Sequence, residues 1–356
     1  MSGVRDKIVA GLLRAAPSGL ALAAAALGAM IMLRLAGYDP FASLGVMIDG
    51  AAGGAYQASE TLLKACPLIL VGLGVALAFR GGLFNIGAEG QLLIGALACV
   101  WLGNLIGRDA GGVTRPALLA VAFVAGGAWA SVAAWLKSRR QVSEVISTLM
   151  LNFIAFWLVS YLVHGPLQEA TKGYPQTERL SESLWLPRLF ERNRLHVGIA
   201  VAGAAAAACY AGIFFTAAGL RLRAAGGSPA AARVAGISLD GMTYGTLFLS
   251  GGLAGLAGGV EALGVTRRLY EQFSPGYGFM AIAVALLAQL HPLGVIPAAI
   301  FLAGLETGAG ALQRASGVSS GLAGVIEALV IFAVIAARAP AVRGLLQKGR
   351  RPSDGV

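Results

Sequence analysis

The sequence predicts an all-α polytopic membrane protein, and three observations carry that expectation. Of its 356 residues, 57% are hydrophobic and 12% charged, with a mean hydropathy of +0.75, whereas soluble domains carry roughly a quarter charged residues. The apolar residues fall in continuous runs, where a membrane β-barrel would alternate them. Lipid leaves backbone polar groups no outside partner, so such runs must cross as helices. The formal net charge of +10 comes from Lys and Arg gathered in short clusters between the runs. They read as topology signals rather than a nucleic-acid surface.

The runs place about ten spanning segments near residues 18–36, 66–79, 89–107, 116–136, 145–163, 196–217, 239–264, 277–290, 293–312 and 320–338. Arg5, Lys7 and Arg14 precede the first. Its apolar run, Ala15–Leu33, exceeds the ~7–15 residues of a signal-peptide core, so it reads as a retained helix. The membrane body is then 18–338, between tails 1–17 and 339–356. An even count puts both tails on one side. They are basic, as are Arg80, the group Lys137, Arg139 and Arg140, and the central loop 219–238, which makes that side cytoplasmic. The long loop 164–195, expected outside, balances its basic residues with Glu169, Glu178, Glu182 and Glu191.

Segments two and eight look short for a bilayer needing about 20 apolar residues. Breaks border them: Arg80, Gly81 and Gly82 after one, Ser274 to Gly278 before the other. Blocks 2–5 and 7–10 enter from opposite sides, which predicts an inverted repeat with its pathway at the interrupted segments. Gly251, Gly255 and Gly259, and again Gly304 and Gly308, recur at spacing four, as close helix packing in lipid favours.

Two polar stretches stand out. RGGLFNIGAEGQ, Arg80–Gln91, puts Asn85 and Glu89 four apart, on one face of any helix starting there, and Asn85 could cap that helix. Two readings of the stretch stay open. Phe84, Asn85, Glu89 and Gln91 line a solute path, or Glu89 neutralises Arg80 at the membrane boundary. Deeper polar groups, Asn152, Gln289, Glu306 and Glu327, either face the same path or bond a neighbouring helix. Glu261 has Arg267 or Arg268 as an expected partner. The second stretch, GLRLRAAGGSPAAARVAGIS, is the basic central loop. It either joins two helices or meets a soluble partner.

Other chemistry is thin. Cys66, Cys99 and Cys209 sit singly in apolar runs without metal-ligand spacing, so they read as core residues and no metal is expected. Residues 317–321 fit G-x-S-x-G, but that motif needs a strand–turn–helix setting with His and acid partners. Here it joins two membrane helices, and His164, His196 and His291 are no evident partners. No G-x-x-x-x-G-K-[ST] occurs, so any ATP hydrolysis belongs to another chain.

Three blocks carry a family resemblance: Gly81–Leu97 (GGLFNIGAEGQLLIGAL), Val142–Ala155 (VSEVISTLMLNFIA) and the AAARVAGIS of the central loop. Tyr277–Leu305 follows more loosely. The chain resembles the inner-membrane permeases of bacterial ATP-binding cassette (ABC) importers, in the branched-chain amino acid and ribose permease superfamily, nearest its nucleoside and simple-sugar branch. The resemblance implies a ten-helix fold like the vitamin B12 permease and no catalytic role or cofactor in this chain. ATP and Mg would be bound by two cytoplasmic ATPase subunits. It also implies a second permease copy, as homodimer or heterodimer, and a periplasmic or lipid-anchored binding protein. Ser228, Pro229, Ala230, Ala231, Ala232, Arg233 and Gly236 match the coupling helix that docks the ATPase, with Arg221 and Arg223 leading into it. The chain departs from the family pattern at Ala288–His291 and at Glu327, Ala328, both near the expected pathway. The expected solute is a nucleoside or nucleobase, with a simple sugar as the alternative. A proton-coupled secondary transporter using Glu306 or Glu327 would account for the carboxylates but not for the central loop.

Overall fold

The computed structural model describes residues 27–107 and 113–336. Both basic tails and the first part of segment one lie outside them. Among the described residues the secondary structure is helical, apart from isolated bridges joining Gln176 to Tyr270 and Arg188 to His196. The helices are α1 (Leu27–Leu35), α2 (Pro40–Ala52), α3 (Ala55–Arg80), α4 (Ala88–Ile106), α5 (Thr114–Arg140), α6 (Glu144–His164), α7 (Gly198–Phe215), α8 (Ala217–Gly227), α9 (Pro229–Val234), α10 (Leu239–Glu261), α11 (Tyr277–Leu287), α12 (Pro292–Ser316) and α13 (Ser320–Ala336). A π-helical turn, Ala262–Thr266, extends α10.

Among the described residues, seven helices are long and apolar enough to cross a membrane: α3 to α7, α10 with its π turn, and α12. The pair α1 and α2, bent by 118°, would make an eighth.

Segment two departs from expectation. It is the 26-residue α3 rather than a short span. Its first turns hold Ser59, Glu60 and Thr61, polar residues that are buried, and hydropathy alone hides them. Glu60 is held by a two-pronged ion pair with Arg194, whose Nε donates to Oε1 at 3.0 Å. Pro67 sits inside α3 without ending it; membrane helices tolerate proline where neighbours re-satisfy the backbone. Segment eight is short, as expected: α11 has 11 residues.

The chain divides into two compact units, residues 59–303 and residues 1–58 with 304–356. In the larger, α10 packs against α4 and α5 at backbone distance. A Cβ at Gly255 would strike the Ala122 carbonyl, and one at Gly258 the Leu92 carbonyl. Only glycine admits so close an approach. Leu83, Ala130, Leu151 and Leu247, all buried, form a core cluster in the same unit.

The loop 165–197 is tied to the far end of α10. Thr177 N–H donates to Leu269 O and Leu180 N–H to Arg267 O, both at 2.8 Å. Arg268 pairs with Glu169 at 3.5 Å, and Arg267 stacks over the Trp185 ring at 3.7 Å. The two arginines therefore serve this loop. Gln176 donates to Glu169 at 2.9 Å, and that bond with the nearby Arg268 holds the Glu169 carboxyl below the usual range. His196 is 2% exposed, packed on Gly198 and Gly264, and its Nδ1 accepts the Gly198 N–H at 3.0 Å. Burial lowers its pKa to about 4, so the ring is neutral.

In the smaller unit, Asp39 caps α2 by accepting from Phe41 and Ala42 N–H at 2.9 and 3.2 Å, with Pro40 at the first helical position. Leu33, Leu312, Val318 and Ile326 form its core. Ser319 Oγ accepts the Leu322 N–H at 3.3 Å. Inside the G-x-S-x-G pattern it serves as a helix cap.

Candidate translocation site and coupling surface

Helix α4 starts only at Ala88, after the irregular stretch that follows Gly82. Asn85 therefore precedes the helix rather than sharing a face with Glu89. It is fully buried, and its Nδ2 donates to Gln91 Oε1 and Ser250 Oγ, both at 2.8 Å. Its Oδ1 accepts from Gln91 Nε2 at 2.9 Å and from Gly87 N–H at 3.0 Å. All four of its hydrogen-bonding sites are thus filled, as a buried amide requires. Asn85 and Gln91 lie inside this network, which joins the α4 entrance to the middle of α10.

The N-terminus of α4 has no cap from its own side chains. Asn152 on α6 supplies one. Its Oδ1 accepts the Gly90 N–H at 2.8 Å and its Nδ2 donates to Ile86 O at 2.9 Å. The N-terminus of α11 is handled alike. Gly276, at φ 98°, gives it no side-chain cap, and Glu89 Oε2 accepts the Gly278 N–H at 2.6 Å. A carboxylate at a helix N-terminus meets both an orphan donor and the positive end of the dipole. Gly278 packs so closely on the Glu89 backbone that a Cβ there would collide with it. Two helix N-termini thus meet through side chains borrowed from other elements.

Beside this meeting point lies a cavity of about 690 Å³, with Glu89 and Asn152 on its wall. Much of the rest is aromatic, Phe153, Phe156 and Trp157 of α6, Phe273, and Phe279 of α11, beside Leu93, Gln272 and Pro275. The segment before α11 adds Glu271, whose Oε1 accepts the Ser160 hydroxyl at 2.8 Å, together with Ser274. Sequence reading missed Glu271 and every one of these aromatics. One signal was present: Ile146, Met150, Phe153, Trp157 and Tyr161 recur at helical spacing along α6, and all are exposed. The other expected residues are not among those that line the cavity. Phe84 is exposed and stacks on Phe79 at 5.1 Å, Gln289 sits in the turn after α11, and Glu306 is on α12. Glu327 is on α13, with its side chain outside the described ones.

The central loop is more ordered than its glycines suggest. α8 runs from Ala217, capped by Thr216, whose Oγ1 accepts the Gly219 N–H at 3.1 Å. Ser228 then caps α9 by accepting the Ala231 N–H at 3.3 Å, and Pro229 takes its first position. Gly236 closes it at φ 76°, the left-handed conformation usual past a helix end. Ala230, Ala231, Arg233 and Val234 are exposed, and Ala232 is buried.

This loop rests on the end of α3. A Cβ at Gly226 would strike the Arg80 carbonyl. The guanidinium groups of Arg80 and Arg223 both lie over the Phe214 ring, at 5.2 and 5.5 Å from its centre. Arg80 Nε reaches on to the Leu290 carbonyl at 3.2 Å. Arg80 is therefore engaged with the central loop and the α11–α12 turn, while Glu89 is engaged with α11.

A family model for the permease component of branched-chain amino acid transport systems matches residues 57–337. The chain belongs to that family. It is a permease subunit of an ABC importer. It is 38% identical to a glucose ABC transporter permease of Haloferax volcanii over 324 residues, 88% of this chain and 85% of that one. A guanosine ABC transporter permease of Bacillus subtilis is also 38% identical, over 87% of this chain and 89% of its own length. A nucleoside ABC transporter permease of Lactococcus lactis is 31% identical, over 86% of each. No solved structure matches the permease.

Proposed function

We propose that this permease moves a nucleoside or nucleobase inward across the bacterial plasma membrane, driven by separate ATPase subunits. The observation that carries the reading is the aromatic-walled cavity where the N-termini of α4 and α11 meet. Flat π faces suit a heterocyclic base, and about 690 Å³ falls within the range of small-molecule sites. The guanosine and nucleoside permeases among the relatives support the same solute. The glucose permease among them favours a second reading, a simple sugar.

The remaining parts of the machine take their places accordingly. The fold is completed to ten spanning helices with inverted blocks, both termini cytoplasmic. The exposed tip of α9 docks the ATPase, which holds ATP and Mg, so this chain performs no catalysis. The exposed stripe of α6 faces a second permease copy, of the same or a homologous chain. The loops around Trp185 and Arg267 meet a periplasmic or lipid-anchored binding protein. Motion of α9 passes through α8 to Arg80, then to the Leu290 turn and α11, and so to the cavity wall.

Reconstitution tests this directly. Proteoliposomes holding the permease, its ATPase and its receptor should take up labelled nucleoside only with ATP. Uptake by the permease alone under a proton gradient would refute the reading.

A further inference from the structure

We propose that the cavity reads the N–H edge of a planar nitrogen heterocycle through the Glu271 carboxylate, which makes a guanine-type base its preferred ligand. The inference rests on the nucleoside reading above and deepens it.

Of the five polar side chains that line the cavity, Asn152, Ser274 and Glu89 are committed to the protein, and the exposed Gln272 presents an amide rather than a charge. Asn152 uses its oxygen on Gly90 and its nitrogen on Ile86. Ser274 Oγ accepts from Gly276 and Tyr277 N–H at 3.3 and 3.2 Å. Glu89 Oε2 is taken by Gly278. Glu271 differs. It is partly exposed, and with the Ser160 hydroxyl on Oε1 its carboxylate keeps acceptor capacity on both oxygens. The cavity presents two carboxylates, and its lining holds no Lys or Arg. It is acceptor-rich, walled by rings and without a cation.

That chemistry selects. Phosphate or carboxylate on a solute would face like charge without a counter-ion. A sugar can lay a C–H face on a ring but offers hydroxyl donors rather than a planar edge of N–H groups. A guanine-type base offers both a flat face and, on one edge, a ring N–H beside an amino group. Two parallel donors match the two oxygens of a carboxylate, in the geometry that makes such pairs strong. Inosine keeps the ring N–H and lacks the amino group.

Uptake by the complete importer, with one receptor throughout, separates the contribution of the permease. Wild type should favour guanosine over inosine, and guanosine monophosphate should not enter. Glu271→Gln should lower guanosine uptake about tenfold, as expected for loss of a charged hydrogen bond, and bring the guanosine to inosine ratio toward one. An unchanged ratio overturns the proposal. Trp157 is 65% exposed, and its replacement gives a second test, read in importers whose assembly is verified by co-purification of all subunits. Trp157→Ala should cut guanosine uptake about tenfold, the scale of one base–ring stack, and Trp157→Phe should restore it. Wild-type uptake by Trp157→Ala overturns the proposal. ATP-dependent uptake of glucose alone would do so too, while leaving the importer assignment standing. Uptake without the ATPase would overturn that assignment itself.

Discussion

Arg80 Nε donates to the Leu290 carbonyl at 3.2 Å, across a turn in which Gln289 and Leu290 hold φ of 54° and 58°. Two consecutive non-glycine residues in the left-handed region are costly, roughly 1–3 kcal/mol each. Contacts such as that of Arg80 are what maintain them. Arg80→Ala should therefore leave ATP hydrolysis by the assembled importer near wild type while solute uptake falls at least about tenfold. Parallel assays of phosphate release and uptake check this. A proportional fall in both would mean that Arg80 only stabilises the fold.

Glu89 gives a contrast between two substitutions. Glu89→Ala leaves the Gly278 N–H without its acceptor, a loss of about 1–3 kcal/mol. Glu89→Gln retains an acceptor oxygen and should keep most of that stability. Thermal unfolding in detergent should rank wild type above Gln and Gln above Ala. Equal destabilisation by both would show that charge, rather than the cap, is what α11 needs.

His196 predicts a pH dependence with a definite sign. Its folded pKa, about 4, lies below its ordinary value of 6.5. Between those values the unfolded chain binds a proton that the folded one refuses. Its contribution is therefore full above about pH 6.5 and is lost as pH falls toward 4, by at most about 1.4 kcal/mol per pH unit. Unfolding measured across this window should show the slope, and His196→Gln should flatten it. A slope that survives the substitution belongs to other groups.

On the coupling surface, Ala231 and Ala232 differ. Ala232 is 2% exposed and supports the loop, while Ala231 faces outward. Ala231→Glu alone should abolish co-purification of the ATPase subunit, with membrane insertion and thermal stability unchanged. Retained co-purification would remove α9 from the docking surface.

Membrane class, family and most helices were legible in the sequence, because apolar runs and the blocks Gly81–Leu97 and Val142–Ala155 are local signals. What escaped it is instructive. Helix α2 is not legible from hydropathy, because its 13 residues are too few to span a membrane, although Asp39 and Pro40 announce its start. The full extent of α3 was missed because Glu60 is buried against Arg194, 134 positions away. Asn85 and Glu89 were put on one helix face because the start of α4 could not be seen to wait until Ala88. The partners of Glu89, Asn152 and Glu271 all come from other elements, 62 to 189 positions off. Local spacing cannot reveal such pairs.

The backbone contacts of α10 reach beyond packing into how this gene can drift. Where Gly255 and Gly258 touch the carbonyls of Ala122 and Leu92, even a methyl group is excluded, so these codons are closed to nearly every substitution. The exposed Ile146, Met150 and Tyr161 of α6, which do not line the cavity, have no such restriction from within the chain. A library of random variants selected for growth on the imported solute should thus be depleted at the buried glycines. Its tolerated changes should collect on surfaces that only lipid or another subunit inspects.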